Sequence, residues 1–94
     1  MDRKTYLDTL SSELRELSFR IDTLRRRMPT ESGQERVHDA GELAVLERRR
    51  QALANRITQA RTMKDDFWSR LKAELEMDWA ELRDAIYRFQ VPQR

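Results

Sequence analysis

Leu7, Leu10, Leu14, Leu17, Ile21, Leu24 and Met28 follow one another at spacings of 3, 4, 3, 4, 3 and 4 residues without a break. That is the a/d seam of a coiled coil, with Leu at each d position. A helix with such a seam cannot leave it in water, because each buried Leu is worth roughly 1.5–3 kcal/mol relative to exposure. The seam therefore demands partner helices, and the rest of the chain is expected to supply them.

The first helix is expected over about residues 4–28, with Asp2 or Thr5 as its cap and Pro29 as its stop. Pro29 to Gly33 is the clear loop. Ser32 and Glu35 fit a capping box, which starts a second helix near Gly33. Its stripe is Leu43, Leu46, Leu53, Ile57 and Ala60, with Arg50 in the heptad slot between Leu46 and Leu53. Ala40, Ala44, Ala54 and Ala60 leave room for close approach of a neighbour. The stripe runs on in phase through Met63 and Phe67, so one long helix over 33–90 is an open alternative. Thr62, Asp65 and Asp66 are candidate caps that favour a tight turn near Met63–Asp66. A third helix, about 66–90, then carries Trp68, Leu71, Leu75, Trp79, Leu82, Ile86 and Phe89. The eleven-residue step puts Trp68 and Trp79 on one face.

Composition agrees. Of 94 residues 38% are charged, and only two are Gly and two Pro. Such a chain favours long helices over a loop-rich fold. The first two thirds carry an excess of basic residues and the last third an excess of acidic ones, which suits packing of the third helix against the others. The expected fold is all-α, an antiparallel three-helix coiled-coil bundle forming a single helical domain over 1–94. A helical hairpin with one long second helix, dimerising, is the alternative. Cys is absent, no apolar stretch follows the N-terminus, and no run is long enough to span a membrane. A cytoplasmic location is the default expectation.

From Trp68 on, the chain resembles a group of small, uncharacterised bacterial coiled-coil proteins sometimes labelled stress-response. The likeness lies in Trp68, Leu71, Lys72, Ala73, an apolar residue at Leu75, Trp79, Leu82, Ala85 and an aromatic near Phe89. In the first helix it lies in Tyr6 and in Ile21–Asp22 followed by Leu24. Glu74 stands where such proteins often have Gly, and Asp78 where they often have Ala. The resemblance brings no established activity and implies a packing module rather than an enzyme.

Chemistry-bearing constellations are sparse. His38 follows Glu35 by three residues, which is half of a di-metal helix motif, but one His and a place beside the loop favour a solvated side chain. Arg25–Arg26–Arg27 and Arg48–Arg49–Arg50 are short basic runs. They have no interleaved aromatics, so nucleic acid is not expected as a partner. Trp68, Trp79, Phe67 and Phe89 form an aromatic set that reads as bundle core or dimer seam; an interfacial membrane helix is the competing reading. Asp65–Asp66 read as helix caps. No catalytic, cofactor-binding or metal residues are expected, no cofactor, and no small-molecule substrate.

Two functions are compatible with this pattern. One is a non-enzymatic structural or protein-interaction module that self-associates or binds a partner helix. The other is a peripheral membrane or stress-protectant protein using the aromatic face of the third helix. A hairpin turning near residue 65 brings Arg50 opposite residue 80 or so. An Arg50–Asp78 pair that fixes register is therefore expected, against a snorkelling Arg50.

Overall fold

Asp2 starts the first helix. Its Oδ1 accepts from the Thr5 backbone N–H at 2.7 Å, and its carbonyl accepts from Tyr6 N–H at 3.0 Å. This satisfies donors that a helix N-terminus leaves orphaned. The computed structural model describes residues 2–27 and 33–90. Three long helices account for nearly all of them: α1 (Arg3–Arg27), α2 (Gly33–Ala60) and α3 (Trp68–Gln90). They pack as a three-helix bundle, a rod of 50 × 18 × 17 Å. The Ser32–Glu35 capping box and Met28 lie outside the described residues.

Each expected seam closes inward. Leu7, Leu10, Leu14, Leu17, Ile21 and Leu24 of α1 are buried, as are Leu43, Leu46, Leu53, Ile57 and Ala60 of α2. From α3 come Leu71, Leu75, Leu82 and Ile86. The chain thus supplies the partners that its first seam requires. Arg25, Ser18 and Ser11 descend α1 as Glu47, Ala54 and Arg61 ascend α2, so the pair is antiparallel in heptad steps. Arg56 of α2 grips Glu74 and Asp78 of α3, which sets the second antiparallel pair. Tyr6 meets Trp68, so α1 and α3 run parallel.

The chain turns after Ala60, and the continuous long helix is not formed. Arg61 N–H and Thr62 N–H bond back to the Thr58 and Gln59 carbonyls, both at 3.3 Å, tightening the last turn. Lys64 is extended, and a short 3-10 turn at Asp65–Phe67 leads into α3. None of the three expected caps acts as one. Thr62 Oγ1 donates back to Gln59 O, and Lys64 holds the cap position without a side-chain bond. The Asp65 carboxylate instead accepts from Arg3, whose guanidinium also donates to the Ala60 and Met63 carbonyls. One arginine of α1 thus satisfies carbonyls left open at the end of α2.

Three further expectations need correction. Ala40 and Ala44 are exposed, because they lie off the buried stripe that Leu43 and Leu46 begin. Trp68, Trp79 and Phe89 are half-buried against the core rather than inside it. Asp78 pairs with Arg56, not Arg50. Arg50 lies on the side of α2 that faces α1, and its Nε reaches Glu47 on its own helix at 3.3 Å. The side of α2 that faces α3 carries Arg56 instead, and it reaches both Glu74 and Asp78.

Candidate interaction surface

The bundle has three grooves between helices, and ion pairs close two of them. Across α1–α2, Arg61 meets Asp8 at 3.0 Å and Arg25 meets Glu47. Across α2–α3, Arg56 holds Glu74 at 2.7 Å together with Asp78. The Glu74 and Asp78 carboxylates are what Arg56 binds. That pairing was missed because Arg56 lies beside the stripe, at a flanking heptad position rather than in it; such flanking charges are the sequence signal for interhelical pairs.

Among the described residues no ion pair joins α1 to α3. Aromatic rings and the cations above them do that work. Tyr6 packs edge-on against Trp68, with ring centroids 5.7 Å apart. Arg3 lies over Trp68 at 5.1 Å, Lys72 over Tyr6 at 5.0 Å, and Arg20 over Tyr87 at 4.9 Å. Arg83 covers Trp79 at 5.0 Å from within α3. Between these bridges lies a cleft of about 400 Å³, lined by Tyr6, Thr9, Leu10, Glu13, Glu76, Trp79 and Ala80. Thr9 and Ala80 are too small to fill it. Trp79 forms one wall, and its Nε1–H is shielded from solvent with no acceptor among the described residues.

Glu13 and Glu76 stand at the rim of the cleft, with Lys72 and Arg83 over the Tyr6 and Trp79 rings that wall it. Burial pushes the Tyr6 hydroxyl up to about 12, and the Glu76 and Glu13 carboxylates beside it act in the same direction. An apolar floor with two carboxylates at its rim suits an apolar side chain accompanied by a cation.

The aromatic set of α3 does not form one continuous face among the described residues. Trp68 and Trp79 look toward α1, whereas Phe67, 55% exposed, sits with Met63 and Leu71 on the α2 side. Phe89 lines a groove at the other end with Leu46, Val45 and Ala85. His38 is exposed and lies 3.6 Å from Glu42, a contact that is ionic only when the imidazole is protonated. The Glu35 side chain lies outside the described residues. Arg25 turns to α2, while Arg26 reaches Thr23 on its own helix at 3.5 Å. Arg48 and Arg49 are exposed. Among the described residues no group of three or more His, Cys, Asp or Glu gathers to hold a metal ion. No helix among them is long and apolar enough to cross a membrane.

Comparison with family models, with curated proteins and with solved structures returned no match.

Proposed function

We propose that this chain is a non-enzymatic interaction module that docks an amphipathic helix of a partner protein in the α1–α3 groove. The observation that supports the reading is the acid-rimmed apolar cleft between two parallel helices that no described ion pair joins. A helix laid there antiparallel to both would complete a four-helix arrangement. Its apolar side chain would enter beside Tyr6, Leu10 and Trp79, and a Lys or Arg one turn away would meet Glu13 and Glu76. Within this reading the working compartment is the cytoplasm.

Site-specific photo-cross-linking in cells tests it. A photoreactive residue at Ala80 is expected to give a discrete adduct with another protein. The same group at Ala52, on the solvent face of α2, is expected to give none. Glu13→Lys with Glu76→Lys is expected to abolish the Ala80 adduct while leaving helical content unchanged. Equal labelling from both positions, an adduct only with lipid, or an adduct that survives the charge reversal would overturn the reading.

A further inference from the structure

Arg50 stands in the core slot of α2 where an aliphatic residue belongs. It does not pair across to α3: among the described residues its guanidinium reaches Glu47 and Gln51, both at 3.3 Å and both on its own helix. The groove that it faces shows another use. Ser11, Ser18 and Ala54 are small residues at the α1–α2 contact, and together they leave a depression of about 260 Å³ over Leu14 and Ile57. Arg15, Arg50 and Arg61 stand around it with the hydroxyls of Ser11, Ser18 and Thr58.

We infer that this depression is an oxyanion site that takes a phosphate group, free or as the monoester of a small molecule. The lining contains three guanidinium groups, three hydroxyls and no carboxylate. Guanidinium forks match phosphate oxygens in pairs. The Ser18 and Thr58 hydroxyls donate to the Leu14 and Ala54 carbonyls at 3.1 and 3.2 Å, so the guanidinium groups supply the donors. Two of the cations are held in place from behind. Arg61 bonds Asp8 at 3.0 Å and Ser11 at 3.4 Å, and Arg50 is steadied by Glu47 and Gln51. Arg15 makes no ion pair among the described residues, and its charge is left for a ligand. On α1 the order Ser11, Arg15, Ser18 puts a cation between two hydroxyls on successive turns. On α2 Arg50, Thr58 and Arg61 repeat that alternation along the facing side. This groove lies between α1 and α2, so the site stands independently of the α1–α3 docking reading.

The test is titration of the full chain with inorganic phosphate, and separately with phosphoserine, at physiological salt, followed by amide and arginine side-chain NMR. Saturable shifts are expected on residues 11–18 and 50–61. Arg50→Leu restores an aliphatic residue to the core slot, so it keeps the fold while removing one guanidinium. It is expected to weaken binding at least tenfold, and Arg15→Gln likewise. Arg48→Gln with Arg49→Gln removes two exposed charges outside the depression and is expected to leave binding unchanged. Equal affinity for the two probes assigns the site to the phosphate group alone; tighter phosphoserine binding assigns it to a monoester. Shifts that do not saturate, an Arg50→Leu chain that binds as well as the parent, or an equal loss in the Arg48/Arg49 variant would overturn the inference.

Discussion

At the scale of single residues, Trp79 and Tyr6 carry the clearest expectations. The Trp79 indole buries a donor without an acceptor, and an unmade hydrogen bond costs about 1–3 kcal/mol. Trp79→Phe removes both the donor and some contact area, so the two effects oppose. We expect a stability change under about 1 kcal/mol in denaturant titration, against about 2–5 kcal/mol lost in Leu82→Ala, which empties a fully buried site. Tyr6 gives a pH signature. Its hydroxyl titrates near 10 in the unfolded chain and is pushed up to about 12 in the fold. The native state then holds its proton more tightly. The contribution is fully present below pH 10, and it is lost as pH rises from about 10 to about 12. Tyr6→Phe is expected to remove this decline, as read from denaturation midpoints across that range. Arg50→Leu is expected to stabilise the chain by about 1 kcal/mol, since an aliphatic side chain regains burial that a snorkelling arginine forgoes.

At the scale of elements, the α2–α3 pair rests on a polar clamp that a double-mutant cycle can measure. Arg56→Ala combined with Asp78→Ala is expected to show coupling of about 0.5–1 kcal/mol, because the pair is half-exposed. Arg50→Ala with Asp78→Ala is expected to be additive within about 0.3–0.5 kcal/mol. The three helices were legible because their seams are regular: every Leu and Ile of the stripes is buried where the period puts it. Their ends were less so. Asp65 and Thr62 are the right residue types for caps, and only the fold brings Arg3 across from the far end of the sequence to claim Asp65. The Arg50–Asp78 pairing failed on facing rather than register: Arg50 turns toward α1, and Arg56, beside the stripe, takes the side of α2 that faces α3. The α1–α3 cleft has no signal in any one helix. It arises where Thr9 and Ala80 happen to face each other, and that depends on the third dimension.

At the scale of the whole molecule, one chain closes its own seams, and the proposed function assigns the α1–α3 groove to another protein. The buried set draws on all three helices, and no aliphatic member of the α1 stripe among the described residues remains for a second copy to cover. Sedimentation equilibrium over a wide concentration range tests this most directly. A constant mass of 11.3 kDa is the expected result. A rise toward twice that mass with concentration would contradict it, because the groove assigned to a partner helix would then be occupied by another copy of the chain.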